Sequence, residues 1–77
     1  MQRIQILGPG CTRCKKLAEN AETAVRQLGI ECEIEKVTDI QQILAFGVLA
    51  TPGLVVDGVL KASGRLLSPE EIKGHLA

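Results

Sequence analysis

The sequence has very few aromatic residues and no excess of charge of either sign. Phe46 is its single aromatic residue, and nine basic side chains balance nine acidic ones in 77 residues. Binding to nucleic acid needs clustered lysine and arginine, because contacts with phosphates release counterions. The balanced charge therefore argues against a nucleic-acid partner, and the shortage of aromatic residues requires a core built from aliphatic side chains.

Long apolar runs are also missing. No stretch approaches the roughly 20 residues that a membrane-spanning helix needs. The first ten residues, MQRIQILGPG, contain no apolar segment ahead of a small-residue cleavage site, which a secretion signal would have. We therefore predict a cytoplasmic protein that does not associate with membranes.

Cysteine is scarce, and the number of cysteines is odd. Three cysteines without a secretion signal do not fit a framework of structural disulfides. Cys11 and Cys14 form a C-x-x-C motif, whereas Cys32 stands alone. A lone cysteine in an apolar pattern behaves as a small hydrophobic residue, so we predict that Cys32 belongs to the core. The length allows a single domain, residues 1–77.

The first half of the chain predicts a strand, a helix and a second strand. Polar and apolar residues alternate over 2–7, which is typical of a strand. Apolar residues at helical spacing predict a helix over 11–28, and Gly29 is placed to end it. Alternation returns over 30–35, where glutamates occupy every second position, so this strand has one polar face and belongs near a sheet edge.

The second half of the chain predicts a short helix, a hairpin and a last helix. Thr38 and Gln41 match a capping box, and Gly47 can end the helix that follows. Strands over 54–56 and 59–60 are joined by an Asp-Gly loop, which is a strong hairpin signal.

The last helix has the clearest start in the sequence. Ser68 is its N-cap, Pro69 its first residue, and Glu71 completes a capping box. The element order is thus β-α-β-α-β-β-α. The opening strand-helix-strand unit requires a parallel pair of strands, and the hairpin adds an antiparallel pair. We predict an α/β fold with a mixed four-stranded sheet flanked by helices.

The position of the C-x-x-C motif indicates its chemistry. Cys11 lies at the predicted helix N-terminus, where unpaired N–H groups and the helix dipole stabilise a thiolate. Arg13, Lys15 and Lys16 add positive charge nearby. Cys14 is one turn deeper, on the buried stripe of the same helix. We predict that Cys11 attacks a substrate disulfide and that Cys14 resolves the mixed disulfide.

The sequence GPGCTRC between a strand and a helix, with Thr51-Pro52 just before a hairpin, resembles the thioredoxin superfamily. Within it, the chain is similar to small redox-active disulfide proteins and glutaredoxin-like thioredoxins, over essentially its whole length. The resemblance implies a three-layer thioredoxin-like fold. It also implies a cis bond before Pro52, a bond that costs far less at proline than elsewhere, and pairing of the Thr51 backbone with an extended substrate. The predicted substrate contacts are Gly10, Thr12, Arg13, Thr51, Pro52 and Gly53.

The resemblance implies a thiol–disulfide oxidoreductase that reduces protein disulfides with no cofactor or metal beyond its own dithiol. The implied partners are disulfide-containing proteins and a reductant system such as a thioredoxin reductase, and the implied state is a monomer. Three features differ from thioredoxins, and the first is that no tryptophan precedes Cys11. Thr12-Arg13 separates the cysteines where thioredoxins have Gly-Pro, and the preceding strand offers Gln2, Arg3 and Gln5 where thioredoxins have a buried acid.

A soft-metal carrier is the alternative function, because two thiolates also bind copper(I). Heavy-metal-associated domains have a similar length and the same C-x-x-C position after the first strand. Their element order, however, is β-α-β-β-α-β, and they have methionine where this chain has Pro9-Gly10 and no counterpart of Thr51-Pro52. Structural zinc needs four ligands, and only Cys32 and His75 remain to complete the set. A non-catalytic interaction module that retains the dithiol is a third hypothesis.

Overall fold

The computed structural model describes residues 2–10, 12–48 and 50–76, and its elements follow the predicted order. The strands are β1 (Gln2–Leu7), β2 (Cys32–Val37), β3 (Gly53–Val56) and β4 (Val59–Ser63). The helices are α1 (Thr12–Leu28), α2 (Ile40–Ala45) and α3 (Pro69–Lys73).

The four strands form one mixed sheet in the order β2-β1-β3-β4. β1 runs parallel to β2 and antiparallel to β3, and β3 pairs antiparallel with β4. Leu7 at the end of β1 pairs with Val37 at the end of β2 and with Gly53 at the start of β3. The segment after β1 and the segment before β3 therefore leave the sheet at the same edge, which we call the upper edge.

Helices cover both faces of the sheet, as a three-layer architecture requires. Ile4 and Ile6 of β1 pack on one face with Leu17 of α1 and Ile72 of α3. Leu7 points to the opposite face, where it packs with Ile43 of α2. Successive residues of a strand point to opposite faces, so β1 contributes to both layers of the core. Each of the fully buried aliphatic side chains contributes about 1.5–3 kcal/mol by leaving water.

Four of the predicted elements have wrong boundaries. β3 begins at Gly53 rather than at 54, and β4 ends at Ser63 rather than at 60, because Gly53 and Ser63 pair in the hairpin. β2 spans Cys32–Val37 rather than 30–35, because its parallel register with β1 sets its length: the pairs run from Gln2 with Cys32 to Leu7 with Val37. The N-cap of α2 is Asp39 rather than Thr38, since the Asp39 carboxylate accepts a hydrogen bond from the Gln41 amide at 2.8 Å. β2 is an outer strand of the sheet, as predicted.

The other predicted boundary signals are confirmed. Gly29 ends α1 with φ of +65°, and its amide donates to the carbonyl of Val25 at 3.0 Å. Asp57 and Gly58 both have positive φ, 50° and 81°, which is the geometry of a two-residue type I′ hairpin. Ser68 and Glu71 form both hydrogen bonds of the capping box at the start of α3.

Candidate active site

The dithiol helix begins at the upper edge of the sheet. Thr12 and Arg13 lie exposed in the first turn of α1, whereas Cys14 is 4 % exposed, so the predicted burial of Cys14 is confirmed. Cys11, the predicted nucleophile, lies outside the described residues. Gly10 precedes it with φ of +93°, a conformation that glycine adopts without steric cost.

Gly8 lies in direct contact with Cys14. Its amide donates to the Val37 carbonyl at 2.9 Å, so the β1–β2 pairing continues one residue past the strand. A Cβ atom on Gly8 would overlap the Sγ atom of Cys14 and would lie 3.8 Å from the Cβ atom of Thr51. Gly8 does not have a positive φ, so space rather than backbone conformation requires glycine here.

The Thr-Pro bend, which directly precedes β3, also lies near Gly8. The Thr51–Pro52 peptide bond is cis, which is the isomer that the resemblance implies. Pro52 is buried and Thr51 half-buried, and Gly53 then enters β3 opposite Leu7. Because Thr51 and Cys14 both flank Gly8, the structure brings the helix that carries the C-x-x-C motif and the Thr-Pro bend together.

Two successive hydrogen bonds link α1 to the Thr-Pro bend. The Arg13 guanidinium donates to the Gly64 carbonyl at 3.2 Å, and the Gly64 amide donates to the Pro52 carbonyl at 2.8 Å. Next to these two hydrogen bonds, the Ser63 hydroxyl donates to the Ala50 carbonyl at 3.2 Å. Gly8 and Gly64 were not among the predicted site residues. Gly8 directly follows a predicted strand, whereas Gly64 lies four residues beyond the predicted end of the last strand, so the local sequence marks neither as part of the site.

A cavity of about 30 Å³ lies beside Cys14, and its wall includes two lysines but no acid. The lining residues are Ile6, Gly8, Gly10, Cys14, Lys15, Lys36 and Thr38. Lys36 pairs with Ile6 in the sheet register, so its side chain emerges on the α1 face of β2. The environment of Cys14 is therefore apolar with a cationic rim.

Gln5 is one of the three polar residues on β1, the strand before the dithiol, and its side chain binds Glu35 of β2. Its amide nitrogen donates to the Glu35 carboxylate at 3.0 Å, and Arg3 donates to the other oxygen at 2.9 Å. The hydrogen bonds from Gln5 and then Arg3 lower the pKa of Glu35 below its ordinary value. Glu35 therefore stays ionised and bound to β1.

Cys32 has the environment of a structural thiol. It is half-buried and packs against the core cluster beneath α1. Burial raises the pKa of its thiol above the ordinary value, so the nucleophilic thiolate is disfavoured at neutral pH. This agrees with the predicted core role.

Two further observations apply to residues 2–10, 12–48 and 50–76. No group of three or more histidine, cysteine, aspartate and glutamate side chains within these ranges is arranged to hold a metal ion. No helix within them is both long enough and apolar enough to cross a membrane.

Comparison with known proteins agrees with this geometry. The sequence profile of the thioredoxin domain family matches residues 2–77. The chain belongs to the thioredoxin family. A thioredoxin of Methanothermobacter thermautotrophicus is 53 % identical over 77 residues, which cover 100 % of both chains. A thioredoxin of Methanocaldococcus jannaschii is 45 % identical over 73 residues, covering 95 % of this chain and 84 % of the relative.

Family membership settles the class of activity. The chain is a thioredoxin-type thiol–disulfide oxidoreductase with a thioredoxin-like α/β fold. The copper-carrier alternative is not supported, because it required the order β-α-β-β-α-β. The structure instead has a helix, α2, between β2 and β3, and a last helix after the hairpin.

Proposed function

We propose that this member of the thioredoxin family reduces disulfide bonds in client proteins, with Cys11 as nucleophile and Cys14 as resolving cysteine. The observation that carries the proposal is the position of Gly8, where an added Cβ atom would overlap the Cys14 Sγ atom and lie 3.8 Å from the Thr51 Cβ atom. The buried cysteine of the C-x-x-C motif thus lies near the cis Thr-Pro bend. A client segment that pairs with the Thr51 backbone would present its disulfide to this motif. Gly10, Thr12, Arg13, Pro52 and Gly53 would line the rest of the contact.

The reaction transfers two electrons through a mixed disulfide. The Cys11 thiolate attacks one sulfur of the client disulfide, the client S–S bond breaks, and the released client thiolate takes a proton from water. Cys14 then loses its proton and attacks the Sγ atom of Cys11. The second client thiolate leaves and is protonated, and a Cys11–Cys14 disulfide remains. The dithiol is oxidised, the client is reduced, and no cofactor takes part.

Turnover needs an external reductant that returns two electrons to the Cys11–Cys14 disulfide. A thioredoxin-reductase-like enzyme is the partner that we propose. A monomer is the state that leaves the upper edge open to a client protein and to this enzyme in turn. The proposed cytoplasmic location and monomeric state are tested by cell fractionation and by sedimentation of the purified chain.

Variants in which one cysteine is replaced by serine test the assignment. With a disulfide-containing protein as substrate and dithiothreitol as reductant, we expect Cys11→Ser to abolish the increase in rate over dithiothreitol alone. Cys14→Ser should accumulate a mixed disulfide with the substrate, which mass spectrometry of the intact adduct detects. Cys32→Ser is the matched control and should retain the wild-type rate. Retained activity in Cys11→Ser, or an adduct on Cys32, would contradict the proposal.

A further inference from the structure

The upper edge of the sheet carries unpaired positive charge. Arg13 and Lys15 lie in the first turn of α1 and Lys36 near the end of β2, and all three side chains are exposed. Lys15 and Lys36 also line the cavity beside Cys14. Among the described residues, the four ion pairs involve other cations: Arg3, Lys16, Arg65 and Lys73. The three cations are therefore available to a ligand.

Arg13 is held in position at this edge. Its hydrogen bond to the Gly64 carbonyl, and that of Gly64 to Pro52, place the guanidinium between the start of α1 and the cis Thr-Pro bend. A guanidinium has five N–H donors, and a carbonyl oxygen uses only part of this capacity. The remaining donors match the two oxygens of a carboxylate, which arginine binds in bidentate geometry.

Four acidic residues lie on β2, just after it, or in the hairpin next to β1: Glu33, Glu35, Asp39 and Asp57. Asp39 is the acid nearest to the end of β2, and its carboxylate accepts from the Gln41 amide as the N-cap of α2. Glu35 is held by Arg3 and Gln5. Glu33 and Asp57 both lie beside Arg3, near the opposite end of β1. Three exposed cations thus lie near the dithiol, and Asp39, which lines a second cavity together with Lys36, adds one negative charge there.

We propose that the upper edge selects disulfides that are flanked by aspartate or glutamate, with Arg13, Lys15 and Lys36 as the recognising cations. This inference rests on the proposed function, because it names the class of client for that site. Opposite charges steer a client to the site and fix its orientation, and the effect weakens as salt shortens the Debye length to about 3 Å at 1 M.

Two synthetic peptides provide the probe. Both contain one intramolecular disulfide and have the same length, and the cysteines are flanked by Asp and Glu in one peptide and by Asn and Gln in the other. Fully reduced protein carrying Cys32→Ser is mixed with each oxidised peptide, and the second-order rate of peptide reduction is measured after acid quenching. Each rate is divided by the rate of the same peptide with dithiothreitol, which removes differences in intrinsic reactivity.

We expect the acidic peptide to react about tenfold faster at 10 mM salt and about twofold faster or less at 1 M salt. Arg13→Gln and Lys36→Gln should each reduce the low-salt preference about threefold, and Arg13→Lys should retain part of it. Arg26→Gln removes the same charge from the last turn of α1, about 20 Å from Arg13 along the helix, and should leave the preference unchanged.

The outcomes separate this inference from the proposed function. Equal rates for the two peptides at low salt, or a preference for the neutral peptide, would overturn the acidic-client inference and leave the reductase intact. If Arg26→Gln reduces the preference for the acidic peptide as much as Arg13→Gln does, the assignment of this preference to the upper edge is overturned. Failure to reduce either peptide would overturn the proposed function itself.

Discussion

Alanine at position 8 would place a methyl group where the sulfur of Cys14 lies. Its Cβ atom would overlap the Sγ atom and lie 3.1 Å from the Cβ atom of Cys14. Cys14 is 4 % exposed, and a cavity of about 30 Å³ lies beside it. Either the Cys14 side chain moves into this cavity, or the first turn of α1 or the end of β1 shifts, and overpacking of this kind costs about 1–3 kcal/mol.

This cost is large for a chain of 77 residues, whose total free energy of unfolding is about 4–12 kcal/mol. A loss of about 2 kcal/mol lowers the urea midpoint by ~2 M if the urea dependence is near 1 kcal/mol per molar. The assay is urea unfolding of fully reduced protein, followed by circular dichroism. Gly74→Ala is the control, because Gly74 has helical backbone angles of −65° and −20°, and an added Cβ atom would approach only the Glu71 carbonyl oxygen, at 3.3 Å. We therefore expect a clearly smaller loss of stability than at Gly8.

A double-mutant cycle then identifies the atom responsible. In a Cys14→Ala background the sulfur is gone, so Gly8→Ala should cost less than half of what it costs in the wild type. The same cost in both backgrounds would refute the contact between Gly8 and the Cys14 sulfur. It would also remove the main geometric support for placing Cys14 beside Thr51.

Three further perturbations have defined outcomes. Ser68→Ala removes the N-cap of α3 and should cost about 1 kcal/mol in urea unfolding, whereas Ser68→Asp should retain most of the stability. Leu17→Ala opens a cavity in a fully buried position and should cost about 2–5 kcal/mol; a smaller loss would contradict close packing beneath α1. Hydrogen bonds lower the pKa of Glu35, from Gln5 and Arg3, and of Glu71, from the Ser68 backbone. Both carboxylates therefore stabilise the fold above their unfolded pKa near 4.3, and this contribution is lost as pH falls through the lower folded values. Urea midpoints measured from pH 7 to pH 3 should fall less steeply in Glu35→Gln and Glu71→Gln than in the wild type, and unchanged slopes would contradict both pairings.

The short-range features of the fold were predicted from the sequence, because they depend on residues a few positions apart. The capping box of α3, the Asp-Gly hairpin and the glycine at the end of α1 each rely on local hydrogen bonds or a local positive φ. The burial of Cys14 also followed from its spacing along the apolar stripe of one helix.

The features that were predicted wrongly or missed depend on sheet register. Thr38 and Asp39 are both good capping residues, and the point at which β2 leaves β1 selects Asp39. Glu35 was predicted to lie on a polar strand face, but its partners on β1 follow only from the parallel pairing of residues about 30 positions apart. Periodicity assigns a residue to a face and contains no information about the strand that lies opposite.

The element order, the dithiol motif at the start of a helix and the Thr-Pro bend before a hairpin could all be predicted from the sequence, because each depends on neighbouring residues. The placing of Gly8 against Cys14 and near Thr51, and the hydrogen bond from Arg13 to Gly64 across 51 positions of the chain, follow from the tertiary structure. These contacts join segments that meet because β1 lies between β2 and β3 in the sheet. The order of strands is fixed by the packing of the whole core, which no local pattern encodes.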